Sequence, residues 1–225
     1  MAITSYPDEP PPMLENFRKH WPIPITGIND AELLEKSPIL RDFREKFDQP
    51  VFHGKYGDKY DYNHDAMRFA WKVFAITTYA GDADVIFWVD SDIHTHADVP
   101  NEFVNSILPY NCYTAAFHRS NMHPECGFVA YRKSDKCHTN VMRTWERLYE
   151  TGAIFMFPQW HDCTAYSAVT HDTKTHNLTE VDCMHPMINS KFGKYIDHRK
   201  GNRKENGSTS ADLVIPRGEE YWTGR

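Results

Sequence analysis

The chain has 225 residues, of which 40% are hydrophobic and 25% are charged, and its formal net charge is -6. This composition is that of a globular protein with one substantial core, and it excludes the strongly basic field of many nucleic-acid and membrane-surface binders. No stretch approaches the roughly 20 apolar residues of a membrane-spanning helix, and the first residues lack a signal-peptide pattern. We therefore expect a cytoplasmic protein with a single domain.

Cysteine and histidine content bears on metal chemistry. The five cysteines include no Cys-x-x-Cys pair, so the sequence predicts reduced thiols and argues against a zinc–cysteine site. Thirteen histidines are many for this length and leave other metal sites open. The cysteines are Cys112, Cys126, Cys137, Cys163 and Cys183.

Short apolar stretches, separated by proline, glycine and charged residues, divide the first third of the chain. Leu14, Phe17 and Trp21 recur at helical spacing, whereas the stretch after residue 48 is rich in Gly, Asp and Tyr, as loops are. In order, we predict a strand at 2–6, a helix at 13–21, a strand at 23–25, helices at 31–36 and 39–47, and a loop at 49–63.

The next segment has the pattern of an amphipathic helix that Asn63 caps and that ends near Gly81. Asp65, Arg68 and Lys72 fall on one line along its polar side. This line is either a solvated ion-pair face or an anion-binding edge, for which the planar guanidinium of Arg68 is suited. The apolar residues at helical spacing are Ala66, Phe69, Ala70, Val73, Phe74 and Thr77.

An unbroken apolar run, Val85 to Val89, is typical of a strand buried on both faces, as in a parallel sheet. The run stops at Asp90-Ser91-Asp92. In open α/β sheets, ligands bind beyond the carboxyl ends of the strands. Two carboxylates at that place repel each other unless a cation lies between them. The sequence therefore indicates either a divalent-metal clamp or an ordinary acidic turn.

Strands and helices continue to alternate up to about residue 206, and the alternation predicts an α/β fold with a sheet flanked by helices. No Gly-x-Gly-x-x-Gly and no Gly-x4-Gly-Lys-Ser/Thr motif occurs, which argues against a dinucleotide dehydrogenase and a P-loop enzyme. In order, we predict a helix at 101–108, strands at 112–117 and 127–131, a long helix that Ser134 caps and Gly152 ends, a helix at 162–170 and a strand at 178–184. The catalytic domain then spans 1–206, and 207–225 is a polar C-terminal tail.

A second metal hypothesis uses Asp92, His94 and His96, which have the Asp-x-His-x-His spacing of the first metal strand of amidohydrolases. Neutral imidazoles at this place bind zinc and activate water. The eightfold barrel of those enzymes needs about 250 residues, and only about 130 follow the motif. A zinc-dependent metallohydrolase is therefore the weaker alternative.

The order of these pieces resembles a glycosyltransferase of the GT-A fold, of the glycogenin and lipopolysaccharide-galactosyltransferase type. The segment from Val85 to Asp92 resembles the strand that carries the family's Asp-x-Asp motif. Arg68 and Lys72 lie on the preceding helix, where such enzymes place an arginine on the donor sugar. The segment from Glu125 to Val129 resembles a strand at the acceptor side. The segment from Trp160 to Asp162 opens a helix, as does the family's Gln-Asp segment beside the sugar.

A late element of the family has the spacing His-x-x-Gly-x-x-Lys. Its histidine completes the metal shell, and its lysine contacts the diphosphate. His185, with Lys191 six residues later, resembles this element. Ile188 stands where the glycine is expected, so His198 is the substitute ligand.

The resemblance implies a Rossmann-like layered sheet of the GT-A type and a metal-dependent transfer of a sugar from a nucleoside diphosphate, with UDP the expected nucleotide. It implies Mn²⁺ or Mg²⁺ as the cofactor. The implied metal ligands are Asp90, Asp92 and His185 or His198, the implied catalytic residues are Asp162, Trp160 and Glu125, and the implied donor contacts are Thr4, Tyr6, Asp65, Arg68, Lys72, Ser91, Lys191 and Lys194.

The acceptor stays open at this point. The resemblance allows a saccharide, a lipid-linked glycan, a protein side chain or a hydroxymethylated pyrimidine in DNA, in a bacterium or in a host cell infected by a bacterial virus. One interpretation of the basic cluster at 191–204 is that it binds the diphosphate and continues into a solvent-exposed tail. The other is that it forms a groove for a DNA acceptor, whose affinity would fall steeply with salt concentration. A non-catalytic nucleotide-sugar binding protein is a further alternative.

Overall fold

The structure, a computed structural model, describes residues 1–81, 83–134 and 138–223. Its strands alternate with helices, and most strands are short. The strands are β1 (Ala2–Tyr6), β2 (Ile25–Asn29), β3 (His53–Tyr56), β4 (Lys59–Asp65), β5 (Val85–Val89), β6 (Ile93–Thr95), β7 (Thr114–Arg119), β8 (Met122–Arg132), β9 (Thr175–Asn177) and β10 (Ile196–His198).

The helices cover both faces of the sheet, and all of the described ones except the helix Ala66–Tyr79 begin at a polar residue or a proline. Among the described residues, no helix has both the length and the apolar character needed to cross a membrane. The α-helices are α1 (Pro12–His20), α2 (Asp30–Lys36), α3 (Pro38–Lys46), α4 (Ala66–Tyr79), α5 (Asn101–Ile107), α6 (Arg143–Glu150), α7 (Asp162–Thr170), α8 (Arg203–Asn206) and α9 (Glu219–Thr223).

A six-stranded sheet with the order β2-β1-β5-β8-β7-β9 forms the centre of the molecule. Strand β5 pairs parallel with β1 and antiparallel with β8. Two small antiparallel sheets, β6 with β10 and β3 with β4, lie apart from it. The predicted α/β architecture with helices flanking the sheet is therefore confirmed, but the sheet is mixed at its central strand and not parallel throughout.

Successive residues of β5 belong to two different apolar clusters, because side chains alternate along a strand. Ile86 and Trp88 join the cluster that contains buried residues of α3, α4, α6 and α7. Phe87 and Val89 join the cluster that contains buried residues of α1 and α5. Helices thus cover β5 on both faces, which explains why its sequence is apolar without a break.

The stretch predicted as a loop at 49–63 is instead mostly the hairpin of β3 and β4, so that prediction is wrong. The two strands turn at Gly57-Asp58, and Gly57 has a φ of +60°, which a residue with a Cβ rarely adopts. The helix that follows is capped by Asp65 and not by Asn63, since the Asp65 carboxylate accepts a hydrogen bond from the Arg68 amide.

Other boundaries also differ from the predictions. The second strand lies at Ile25–Asn29, and the predicted strand at 178–184 is replaced by β9 at Thr175–Asn177. The long helix after Ser134 is described from His138, where a π-helical turn leads into α6, whereas the predicted first turn at 135–137 lies outside the described residues. Asp162–Thr170 agrees with the helix predicted at 162–170.

The segment after residue 206 contacts the rest of the chain through polar side chains. Ser208 is buried and hydrogen-bonds Arg203 and Asp197. The Asn189 side chain receives hydrogen bonds from the amides of Val214 and Ile215. The division into a domain at 1–206 and a tail at 207–225 stays a prediction.

Candidate active site

A cavity of about 1140 Å³ opens at the carboxyl ends of β1 and β5. Its walls come from the first half of α4, the start of α7, the β7–β8 turn and the segment after β10. This is the edge of the sheet where open α/β proteins bind ligands. The lining residues include Ser5, Tyr62, Arg68, Lys72, Trp88, Asp90, Ser91, Asp92, Met122, Cys126, Gly127, Asp162, Cys163, His198, Lys200, Gly201 and Lys204.

At one side of the cavity, Asp90, Asp92 and His198 each place a potential ligand atom within 4.8 Å of the others. We call these three residues the acidic end. His198 Nε2 lies 2.9 Å from Asp92 Oδ1 and 3.8 Å from Asp90 Oδ2. Two carboxylates and one imidazole are ligands that suit a divalent ion such as Mn²⁺. The residues present therefore fit the cofactor that the sequence predicts.

His198 is held in place from its other side. Its Nδ1 lies 2.6 Å from Oε1 of the buried Glu125, and a carboxylate behind a histidine is the arrangement that orients metal-binding imidazoles. Burial alone would lower the pKa of His198, but the hydrogen bonds with Asp92 and Glu125 raise it to about 9. The imidazole is therefore protonated at neutral pH in the metal-free protein, and a metal ion would displace that proton.

Gly127 gives His198 the room that this position needs. A Cβ added at Gly127 would lie 2.2 Å from His198 Nδ1, closer than side-chain atoms approach one another. Gly127 belongs to β8, beside the end of β5, and its carbonyl accepts the hydrogen bond of the Asp90 amide. Only a glycine at position 127 therefore leaves space for the imidazole ring of His198.

A second segment of the chain also has the spacing of the late element for which His185 and Lys191 are predicted. The segment His198-Arg199-Lys200-Gly201-Asn202-Arg203-Lys204 has the His-x-x-Gly-x-x-Lys spacing in full, and its His, Gly and Lys all line the cavity. Gly201 has a φ of +56°, a conformation that favours glycine. Lys204 Nζ lies 2.9 Å from Asp92 Oδ2. The His-x-x-Gly-x-x-Lys spacing at 198–204 could have been found in the sequence alone.

Deeper in the cavity, Lys72 and Asp162 form a buried ion pair. Lys72 Nζ lies 2.6 Å from Asp162 Oδ2 and 3.4 Å from Asp90 Oδ1, and it also donates to the Cys126 carbonyl. We call Lys72, Asp162, Cys126 and Cys163 the closed end. Burial would raise the pKa of Asp162, but the Lys72 ammonium holds it below its usual range. Asp162 is therefore ionised at neutral pH.

Of the predicted donor contacts, Arg68, Lys72 and Ser91 line the cavity. Three others, Thr4, Tyr6 and Asp65, do not line the cavity. Thr4 is buried inside the sheet, and its neighbour Ser5 lines the cavity in its place. Asp65 caps α4 and accepts a hydrogen bond from the Tyr60 hydroxyl. Tyr6 packs with the cluster that contains α1.

Several other predicted residues lie away from the lining. Lys191 pairs with Glu180 at 3.3 Å, and Lys194 is exposed on the same short turn. His185 Nε2 lies 4.0 Å from Asp212 Oδ1 and is not in the acidic end. Lys200 and Lys204 occupy the cavity instead.

The three residues predicted at the reacting centre lie in three different environments. Asp162 lines the cavity. Trp160 packs in an aromatic cluster, where its ring centroid lies 4.8 Å from that of His64 and its Nε1 donates to the Phe157 carbonyl. Glu125 is buried behind His198 and hydrogen-bonds it. Glu125 therefore positions the His198 ring, and Trp160 packs against other aromatic rings.

The histidines of the hydrolase hypothesis lie on β6 or directly after it. His94 pairs in register with Asp197 of β10, and His96 donates its amide to the Tyr195 carbonyl. Among the described residues, the groups that could hold a metal ion are the acidic end and the set Cys126, Asp162 and Cys163. Neither set contains His94 or His96.

Sequence reasoning missed the rim of the cavity. Tyr62 lines it from β4 and Met122 from the β7–β8 turn, and both side chains are exposed. Tyr56 and Tyr60 are exposed on the same hairpin as Tyr62. The signal was the Gly-Asp turn between strand-forming residues, which predicts a hairpin.

No protein-family model matches the chain, and no curated protein sequence matches it. Several solved structures are similar to it, and those described here are glycosyltransferases. A glycosyltransferase involved in the glycosylation of the major capsid of PBCV-1 is 15% identical over 92% of this chain and 96% of its own, with a TM-score of 0.46.

Two further similar structures come from longer chains. GlyE of Streptococcus pneumoniae TIGR4 is 11% identical over 80% of this chain and 45% of its own, with a TM-score of 0.49. Mouse xyloside xylosyltransferase 1 is 10% identical over 69% of this chain and 63% of its own, with a TM-score of 0.44. This chain thus spans less than two thirds of either protein.

Proposed function

We propose that the protein is a metal-dependent glycosyltransferase that moves a sugar from a nucleoside diphosphate, by expectation UDP, to an acceptor hydroxyl. The observation that carries the proposal is the acidic end. Asp90, Asp92 and His198 converge at the carboxyl end of β5, inside a cavity large enough for a nucleotide sugar. Oxygen and imidazole ligands at this place suit Mn²⁺ or Mg²⁺, and an ion held by these residues would supply positive charge to a diphosphate.

Two lysines next to the acidic end support a diphosphate site. Lys200 and Lys204 line the cavity, and they stand in the segment that begins with the metal-ligand candidate His198. When the bond to the sugar breaks, negative charge develops on the leaving diphosphate. Fixed ammonium groups and a divalent ion at that place stabilise the charge as it forms. We assign to Lys204 the role that the sequence resemblance gave to Lys191.

Asp162 has the properties of an electrostatic group and not those of a base. Its carboxylate is ionised, buried and paired with Lys72, and a carboxylate with a lowered pKa is a weak base at neutral pH. Such a charge stabilises an oxocarbenium-like centre. Arg68, which lines the same wall from α4, is placed to bind sugar hydroxyls.

The contacts of the basic cluster favour a saccharide acceptor over DNA. A DNA groove needs cations that face the phosphates. Of the six cations of the cluster at 191–204, Lys200 and Lys204 line the cavity as the proposed diphosphate contacts. These two, with Lys191 and Arg203, also pair with carboxylates and form no separate phosphate-binding groove. The pairs are Lys191 with Glu180, Lys200 with Glu125, Arg203 with Asp197 and Lys204 with Asp92. The exposed tyrosines of the β3–β4 hairpin offer aromatic faces at the rim, as sugar-binding surfaces do.

The test is the thermal stability of the purified protein with a panel of nucleoside-diphosphate sugars, each with and without Mn²⁺. A ligand at a hundredfold its dissociation constant adds about 2.7 kcal/mol to the free energy of unfolding. We expect one UDP-sugar to raise the melting temperature only when Mn²⁺ is present. A rise with Zn²⁺ that is lost in His94→Gln, and none with any nucleotide sugar, would support the hydrolase hypothesis instead.

Turnover separates an enzyme from a binding protein. Incubation with the identified donor and Mn²⁺ should release the nucleoside diphosphate, slowly to water and faster with an acceptor saccharide. Tight donor binding with no release under either condition would identify a non-catalytic nucleotide-sugar binding protein.

A further inference from the structure

Two cysteines that are far apart in the sequence lie side by side in the closed end. Cys126 belongs to β8 and is fully buried, whereas Cys163 belongs to the first turn of α7 and is half-buried. Both line the cavity. Their sulfur atoms and one carboxylate oxygen of Asp162 lie within 4.8 Å of one another. The proposed transfer reaction uses neither thiol.

The carboxylate of Asp162 faces two different partners. Its Oδ2 pairs with Lys72 Nζ at 2.6 Å, and its Oδ1 accepts a hydrogen bond from Cys163 Sγ at 3.5 Å. The oxygen on the thiol side therefore makes no ion pair with Lys72. The hydrogen bond with Cys126 lowers the pKa of the Cys163 thiol to about 7, whereas burial and the contact with Cys163 raise the pKa of the Cys126 thiol. Cys163 therefore loses its proton first, and Cys126 gives up its proton only to a bound metal ion.

The charges of this cluster match a divalent cation once the thiols are deprotonated. Two thiolates and the Asp162 carboxylate carry three negative charges, and the Lys72 ammonium carries one positive charge. The remaining charge of minus two equals that of a bound divalent ion in magnitude. Two sulfur ligands and one oxygen suit a thiophilic ion, and three protein ligands leave a fourth position open to the cavity.

We propose that Cys126, Cys163 and Asp162 form a binding site for a thiophilic divalent cation, Zn²⁺ or Cd²⁺, separate from the acidic end. Binding releases two thiol protons to solvent and forms two metal–sulfur bonds and one metal–oxygen bond. The acidic end, with two carboxylates, prefers harder ions, so the two sites select different metals. Because the ion takes up Asp162, we also expect Zn²⁺ to inhibit transfer, a consequence that rests on the proposed function.

The test titrates the fully reduced protein with Cd²⁺ and follows the ultraviolet charge-transfer band that arises only from sulfur ligation. Excess Mg²⁺ is present to occupy the acidic end. We expect a band that saturates at one Cd²⁺ per chain, in the wild type and in Asp92→Asn. Cys163→Ser should lose the band or weaken Cd²⁺ binding by at least about tenfold, which corresponds to roughly 1.4 kcal/mol.

The matched control is Cys183→Ser, because Cys183 is also half-buried but does not line the cavity. This variant should bind Cd²⁺ as the wild type does. Cys126→Ser replaces a buried group, so circular dichroism is used to check that this variant folds. If Cys126→Ser is unfolded, the conclusion rests on Cys163→Ser alone. A saturating band of the same strength in Cys163→Ser, or no band in the wild type, would overturn the proposal.

Discussion

The carboxylates at the two ends of the cavity differ in how far water reaches them, although the side chain of His198 at the acidic end is itself only 5% exposed. At the acidic end, the side chains of Asp90 and Asp92 are 31% and 29% exposed. At the closed end, those of Lys72 and Asp162 are 6% and 8% exposed. Partly exposed charges exchange one partner for another at small cost, whereas a buried charge that loses its partner is strongly destabilising. The acidic end thus suits ligand binding, and the closed end suits a fixed charge.

The largest expected effect comes from breaking the closed end. Lys72→Met leaves Asp162 buried without a cation, and we expect the free energy of unfolding to fall by about 3–5 kcal/mol. Urea denaturation with a common slope measures the change. Lys36→Met is the control, because Lys36 pairs with Glu32 on an exposed helix face and should matter little. Equal losses in both variants would show that the closed end has no special role in stability.

His198 should make the stability of the protein depend on pH through the acidic end. The raised pKa of His198, about 9, means that its contacts stabilise the fold fully below the unfolded-state pKa of about 6.5. This stabilisation, at most about 3 kcal/mol, is lost as the pH rises from about 6.5 to 9. Asp92 and Glu125, whose pKa values are lowered, lose their contribution in acid instead.

Urea midpoints of the metal-free protein at pH 6.5 and pH 9 test this expectation. His198→Gln should remove most of the difference between the two pH values. His171→Gln, which changes an exposed histidine, should retain the wild-type difference. A wild-type protein equally stable at both pH values would contradict the charge assigned to His198.

Asp92→Asn tests the binding function of the acidic end. We expect turnover of the nucleotide sugar to fall by about a hundredfold or more at a fixed Mn²⁺ concentration, because a metal ligand is lost. Far-ultraviolet circular dichroism should be unchanged, since Asp92 is partly exposed. Asp98→Asn is the control, because Asp98 is exposed and contacts His20 outside the cavity. Full activity in Asp92→Asn would refute the metal assignment.

The smallest expected effect concerns the rim. Tyr62→Ala removes an exposed aromatic ring that lines the cavity, and we expect kcat/KM for an acceptor saccharide to fall by about tenfold. Release of the nucleoside diphosphate to water should fall less, because Tyr62 affects the donor site only through its contact with Arg68. Tyr110→Ala, at an exposed position outside the lining, is the matched control. A parallel loss of both rates would place Tyr62 with the donor.

Local sequence patterns predicted the parts of the site that lie on strongly patterned elements. The apolar run of β5 gave the position of Asp90 and Asp92, because a buried strand must end where charged residues begin. The start of α7 placed Asp162 at a helix N-terminus in the same way. In both cases, a few neighbouring residues determine where the strand ends or the helix begins.

Contacts between distant segments could not be predicted in this way. The His-x-x-Gly-x-x-Lys spacing distinguishes His198 from His185, but only the pairing of β10 with β6 brings His198 beside Asp92. Cys126 and Cys163 lie on different elements, and no spacing rule connects them. The position of a residue in the tertiary fold decides such contacts.

Mn²⁺ binding by His198→Gln and His185→Gln tests the central claim most directly. Electron paramagnetic resonance of free Mn²⁺ gives the dissociation constant of each variant without any donor or acceptor. We predict that His198→Gln weakens Mn²⁺ binding by at least about tenfold, whereas His185→Gln binds as the wild type does. Wild-type binding in His198→Gln, with loss in His185→Gln, would contradict the account.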